Sequence, residues 1–268
     1  PISAAIYSPL TTLLPPCLNN AATILDALIS AHQGMRAFSL GYSQQANVVQ
    51  DVAALHSLLE VGEEYLAKLG FDDVSVVATL YQWMNNFPAD EARAMGVICL
   101  GAATAALAGA HQVIVKTPHE AWGVPTREAN LAGLKATKQV LSMLRNQRWP
   151  ETEEYRQERA QISRETRAIL DRVLELGDGD VAAGTVRGIE SGVVEICFSP
   201  HRSNAGRALG MNDAQGAVRF LDCGNLPFDG ETREYHREKV EARVKDAGRP
   251  SYELMLDDVY AVSDAIAG

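Results

Sequence analysis

Over residues 1–147 the chain repeats one hydrophobic pattern four times. Each repeat is a short apolar run, a polar or glycine-containing turn, and a longer stretch with helical spacing. The runs near Ser3 to Tyr7, Ala37 to Leu40, Val74 to Leu80 and Val113 to Val115 predict strands. The stretches from about Asn20 to Ala31, Ala46 to Leu69, Ala89 to Leu107 and Thr126 to Asn146 predict helices. Asn19 or Asn20 is expected to cap the first helix, Gly34 to end it and Gly70 to stop the second. The β-branched run Val113 to Val115 reads as a strand buried on both faces. The run Ala94 to Ala110, rich in glycine and alanine, reads as a buried helix slightly short for a bilayer span, with Cys99 in the core. Strands alternating with helices imply parallel pairing through right-handed crossovers.

After Pro150 the pattern changes. A long charged helix is predicted from about Thr152 to Leu176, followed by a Gly-Asp-Gly-Asp turn and a short helix over Val181 to Ser191. The apolar run Val193 to Phe198, a loop from Ser199 to Gly216, a strand-like run over Ala217 to Leu221 and a helix from about Glu231 to Ala247 complete the pattern. The expected fold is α/β and resembles a (β/α)8 TIM barrel, which takes roughly 250 residues and eight strands when complete. Residues 1–150 would supply four βα units, the C-terminal half of such a barrel, and 151–268 an α+β extension packed on it. A half barrel presents open strand edges, so an N-terminal segment or a partner chain is expected to close it.

Composition narrows the classes. Hydrophobic residues make up 47% of the 268, enough for a full core, and the net charge of −10 argues against a nucleic-acid surface. The four cysteines (Cys17, Cys99, Cys197, Cys223) form no CxxC pair, which removes zinc-ribbon and thioredoxin-type readings and fits a reduced, cytoplasmic setting. The six histidines show no ligand spacing, and only His119 sits in a loop of interest, so no metal site is expected from this chain. No dinucleotide, P-loop or nucleophile-elbow motif is present.

In parallel α/β folds, ligands bind beyond the carboxyl ends of the strands. After the first strand come Thr11 and Thr12, either pocket-lining or turn residues. After the second, Gly41 permits close backbone approach, and Tyr42 and Gln44 offer polar groups at a mouth. After the third, Tyr81, Trp83 and Phe87 suit either a flat organic ligand or a hydrophobic plug. After the fourth, Lys116 is followed by Glu120 in a turn braced by Pro118 and Pro125. That pair is placed to grip a polar group, or to close the loop as a salt bridge. The mixed-charge helix Thr152 to Leu176 reads as a solvated or interface helix.

Several strings carry a family resemblance: Leu14-Pro15-Pro16, Gln50-Asp51-Val52-Ala53-Ala54, Gln82-Trp83-Met84, Val113 to Glu120, Gly123-Val124-Pro125-Thr126, Glu128-Ala129-Asn130 and Gly224-Asn225-Leu226-Pro227-Phe228. Together they resemble the large (epsilon) chain of adenosylcobalamin-dependent glutamate mutase, or methylaspartate mutase, over essentially the whole sequence. The resemblance implies a TIM-barrel isomerase that interconverts L-glutamate and (2S,3S)-3-methylaspartate by a radical rearrangement in glutamate catabolism. It implies adenosylcobalamin shared with a small cobalamin-binding subunit, and a dimer of large chains within a heterotetramer. Carried over residue by residue, the adenosyl contacts fall on Phe87, Lys116, Glu120 and Val124, where Val124 replaces an isoleucine. Glu120 would accept hydrogen bonds from the ribose hydroxyls, Lys116 would orient Glu120, and Phe87 and Val124 would form an apolar wall. The carboxylate-clamping arginines and the catalytic residues are expected upstream of Pro1, so no catalytic residue is expected in this chain, which alone would be inactive. Arg93, Arg127 and Arg145 fall on predicted helices and do not replace them. Two alternatives accompany this reading: a related cobalamin mutase acting on another amino acid, and a non-catalytic barrel remnant acting as scaffold.

Overall fold

The computed structural model describes the backbone of the strand Ile2–Ala4 and residues 12–263. Four parallel strands lie side by side in chain order: β1 (Ile2–Ala4), β2 (Ala37–Ser43), β3 (Ser75–Tyr81) and β4 (Gln112–Ile114). Consecutive strands are joined by α1 (Pro16–His32), α2 (Val48–Lys68) and α3 (Glu91–Leu107), and α4 (Arg127–Leu144) follows β4. The expected α/β layering with parallel pairing is therefore present. The four strands form an open sheet rather than a closed ring. Residues 5–7 of the expected first strand, and Thr11, lie outside the described residues.

The two faces of β2 and β3 differ as the strand period requires. Phe38, Leu40 and Tyr42, with Ala78 and Leu80, enter the main apolar core against the helices. The opposite face carries a polar row. Ser39 and Thr79 are hydrogen-bonded to each other, and both hydroxyl oxygens lie 3.1 Å from Gln112 Oε1, which accepts from whichever hydroxyl does not donate to its neighbour. β4 corrects an expectation. It is the last strand of the sheet, Gln112 is exposed, and Ile114 keeps 42% of its surface. A β-branched run therefore marks a strand here without marking burial on both faces. α3 likewise buries one face only: Ala94, Ile98, Ala102 and Ala105 are covered, whereas Leu100 is exposed and Cys99 is half-buried rather than in the core.

Side-chain caps explain most helix starts. Asn47, Asp90, Thr126, Thr152, Asp180 and Asp229 each accept a backbone N–H in the first turn of the helix that follows. α1 is one of two exceptions among these helices. It begins at Pro16, behind Pro15, with no side-chain cap. A proline's fixed φ suits a helix's first position and its missing N–H is not needed there. Asn19 and Asn20 lie inside the helix and do not cap it. Their amides donate inward, to the Gly41 and Ala54 carbonyls, each at 3.0 Å.

Beyond Pro150 stand α5 (Glu153–Leu176), α6 (Val181–Ser191), the antiparallel strands β5 (Ala208–Asn212) and β6 (Val218–Cys223), α7 (Gly230–Ala247) and α8 (Ser251–Tyr260). β5 was hidden within the expected Ser199 to Gly216 loop, and α8 gave no capping signal because Pro250 precedes it. The charged helix α5 is an interface helix. Its buried stripe, which includes Tyr155, Ile162, Ile169 and Val173, packs on α1 and α2. Arg159 and Arg167 pair with Glu60 and Glu64 of α2 at 2.8–2.9 Å. The main core joins residues of α1, α2 and the sheet with residues of α5, α6 and β6.

Candidate functional site

Past the carboxyl end of β4 the chain turns through Thr117 and Pro118 into a 3₁₀ turn, Glu120–Trp122. This turn brings Lys116 and Glu120 together: Lys116 Nζ lies 3.0 Å from Glu120 Oε2, and the Thr117 N–H donates to Glu120 Oε1 at 3.1 Å. Both side chains are largely but not wholly covered, at 20% and 24% exposure. The carboxylate is thus fixed by one contact on each oxygen while an accessible face remains. An ionised carboxylate has about four lone-pair sites, so capacity for further hydroxyl or amide donors is left.

The backbone beneath this pair is held by Gln82, the residue after β3. Gln82 Oε1 accepts the Lys116 N–H at 2.8 Å, and Gln82 Nε2 donates to Ile98 O of α3 and Thr137 Oγ1 of α4, each at 3.0 Å. One fully buried amide therefore joins the start of the loop after β4 to α3 and α4. Two glycines make room for it. A Cβ at Gly101 would lie 2.5 Å from Gln44 Oε1 and 2.8 Å from Gln82 Cγ. A Cβ at Gly133 would collide with the Lys116 carbonyl oxygen, so α4 sits against the loop only because that position is glycine. Gln82 stood within a matching string, yet no local signal marked it or Gly133 as support for Lys116.

The loop is tied to the one after β3. Trp122 Nε1 donates to Ala89 O at 3.2 Å, and His119 Nε2 lies 3.2 Å from Glu91 Oε1. Phe87, just before these anchor points, is buried with Trp83, Ala94 and Ile98. Trp83 in turn donates through Nε1 to Asn86 O at 3.0 Å. Trp83 and Phe87 therefore pack as a plug, and Tyr81 is buried as well, so the three aromatics do not stand open as a flat platform. Val124 lies elsewhere on the rim, after Gly123 at φ 104°, and is 97% exposed. Exposed Trp122 flanks that glycine on its other side.

Tyr42 and Gln44 are not open at a mouth. Both are fully covered: Gln44 Oε1 accepts the Trp83 N–H at 3.2 Å, and the Tyr42 hydroxyl donates to Asp51 Oδ1 at 2.9 Å. Asp51 also accepts the Gln45 N–H at 2.8 Å. Burial pushes its carboxyl up to about 7, against the lowering effect of these two hydrogen bonds. Ala46, in the left-handed region at φ 74°, follows directly. Thr12 is both things its position allowed: it lies in a turn and lines a cavity of about 350 Å³ with Gln45, Asn47, Trp83 and Asp258. Arg93 lies within α3, Arg127 opens α4 and Arg145 follows its end, so none stands at a strand terminus.

The family model described as methylaspartate mutase E chain (MutE) matches residues 1–267. The chain belongs to this family. Members of the methylaspartate mutase E chain family similar to it include the glutamate mutase epsilon subunit of Desulfitobacterium hafniense, 50% identical over 96% of this chain and 53% of the relative. The subunit of the same name from Treponema denticola is 45% identical over 97% of this chain and 54% of its own length. That of Halobacterium salinarum is 46% identical over 96% and 54%. The chain thus spans about half the length of the curated relatives it matches. Among the described residues, no helix is long and apolar enough to cross a membrane.

Proposed function

We propose that this chain forms the adenosyl-facing part of an adenosylcobalamin-dependent isomerase that interconverts L-glutamate and (2S,3S)-3-methylaspartate. Membership of the methylaspartate mutase E chain family supports the reaction class. The observation that carries the site is Glu120: a carboxylate beyond a parallel strand, oriented by Lys116 and the Thr117 N–H, with an accessible face left.

The donor set fits a nucleoside sugar. A carboxylate at this position accepts hydrogen bonds from a vicinal diol, and the lysine beside it keeps the charge in place. Val124 offers exposed apolar surface on the loop after β4, and Phe87 backs the neighbouring loop from within its apolar plug; together they would keep water from the reacting groups. When bound, adenosylcobalamin supplies a carbon-centred radical through homolysis of its cobalt–carbon bond. The chain's own residues do no covalent chemistry in this reading; they bind, orient and exclude water. The arginines that clamp the substrate carboxylates, and the catalytic residues, come in this reading from the remaining length of the large chain. A small cobalamin-binding subunit covers the cofactor from the far side, and large chains pair within a heterotetramer.

In the same reading the four strands are half of a (β/α)8 barrel, residues 1–150, and 151–268 form the extension packed on it. The test is reconstitution with the rest of the large chain and the small subunit, assayed anaerobically with glutamate. Glu120→Gln loses a charge-assisted acceptor worth about 1.5–3 kcal/mol, so kcat/KM should fall about tenfold or more with the thermal midpoint unchanged. Full activity in that variant removes Glu120 from the site.

A further inference from the structure

A second concave surface lies far from the strand ends, between α1, α6 and the segment that leads from α6 to β5. It is a groove of about 590 Å³, floored by Leu25, Ile29, Ile189 and Val194 and bordered by Asp26 and Glu190. Its lining includes no lysine or arginine. Glu195 also lines it and is 2% exposed. One of its carboxylate oxygens accepts the Arg207 and Ala208 N–H groups, and the other, Oε2, is buried without a hydrogen-bond partner among the described residues. A buried carboxylate oxygen without a donor is costly, and so marks a place where one is expected. Desolvation already raises the Asp26 carboxyl above its ordinary range. Val186 projects at the groove's edge with 57% of its surface exposed.

The position of the groove on α1 identifies what would fill it. Asn20 bonds to Ala54 of α2, and Ile24 packs at Gly62 of the same helix. Helical spacing places Ala22, Asp26 and Ile29 on the opposite side of α1, turned away from α2. In a right-handed βα array the helices follow one another around the sheet in strand order. The flank of α1 away from α2 is therefore where the helix leading into β1 from a preceding strand would pack. We infer that this groove seats an amphipathic helix from the remaining part of the large chain, whose apolar stripe covers the floor and whose basic side chain meets Asp26, Glu190 and Glu195. The inference rests on the reading that the remaining part of the large chain completes the barrel.

The binding partner for the test is the part of the Desulfitobacterium hafniense epsilon subunit outside the region matched by this chain, expressed separately and titrated calorimetrically without cofactor or substrate. Val186→Asp should weaken the complex about tenfold or more, as loss of an apolar interface anchor does. Asp26→Lys should weaken it and reverse its salt dependence, and Glu195→Gln should weaken it less. Tyr252→Asp, at an exposed site on α8, should bind as the unchanged chain does. In the complex, backbone amides of residues 186–196 should gain protection from hydrogen exchange. Equal affinity for Val186→Asp, no binding by the unchanged chain, or a dimer of this chain that Val186→Asp dissolves would each overturn the assignment. A complex that forms through this groove yet shows no mutase turnover would sink the functional reading and leave the docking surface standing.

Discussion

A single amide side chain, Gln82, decides where Lys116 stands. Its three side-chain hydrogen bonds reach the loop after β4, α3 and α4, and the Gln82 side chain itself is fully buried. Gln82→Leu keeps the volume but leaves the Lys116 N–H and the Ile98 carbonyl without this partner. The Ile98 carbonyl keeps its bond within α3, but the Lys116 N–H is left without an acceptor at a cost of about 1–3 kcal/mol, so the urea midpoint should fall measurably and the Lys116–Glu120 loop should exchange its amide hydrogens faster. Asp51 makes a different prediction. Its native carboxyl titrates at about 7 against an ordinary value of 3.8, so between those pH values the folded chain holds a proton that the unfolded chain has lost. Its contribution to stability is complete below about 3.8 and is lost as pH rises through about 7. Asp51→Asn, compared with the parent in denaturant melts from pH 4.5 to 8, should lack that decline. Parallel curves would refute the assignment.

At the scale of elements, the layer after Pro150 is knit together internally by buried charge, and it is joined to α2 by the buried Gln50 amide as well as by apolar packing. Arg219 of β6 sits between Glu158 of α5 and Asp213, bonding Asp213 at 2.8 Å, with the guanidinium only 4% exposed. Gln50 of α2 joins the same cluster. It accepts the Val218 N–H at 2.7 Å and donates to the Val218 carbonyl at 3.1 Å. Such a network adds little net energy while intact, but losing one partner strands the others. Arg219→Met would leave two buried carboxylates without their cation and should cost about 3–5 kcal/mol, read from chemical unfolding. The same cluster explains why α5 could not be read fully from its sequence. Glu158 and Glu165 look like surface charge in a mixed-charge helix, yet both are buried, Glu165 against His236 of α7 at 2.8 Å.

For the molecule as a whole, the open sheet is the dominant physical fact. β4 ends the strand order with Ile114 exposed, and α4 beside it exposes Leu131, Leu134 and Met143. An unpaired strand edge with apolar neighbours is a template for association. The isolated chain should therefore self-associate with rising concentration, and Ile114→Lys should suppress this in light scattering. A parent chain that stays monomeric at high concentration would show that the edge is protected in some other way.

The sequence by itself determined the alternation of strand and helix, the parallel order, the helix starts that carry Asn, Asp or Thr caps, and the meeting of Lys116 with Glu120. These are local properties: side-chain period, capping chemistry and a separation of four residues across one turn express themselves wherever the segment lies. Tertiary structure alone decided that β4 is an edge, that Asn19 and Asn20 donate inward instead of capping, and that Gln82 carries Lys116. It also decided that Trp83 and Phe87 form a plug after β3 and that an acidic groove opens between α1 and α6. Each of these depends on which distant surface is brought against a residue, and a pattern of neighbours along the chain holds no record of that.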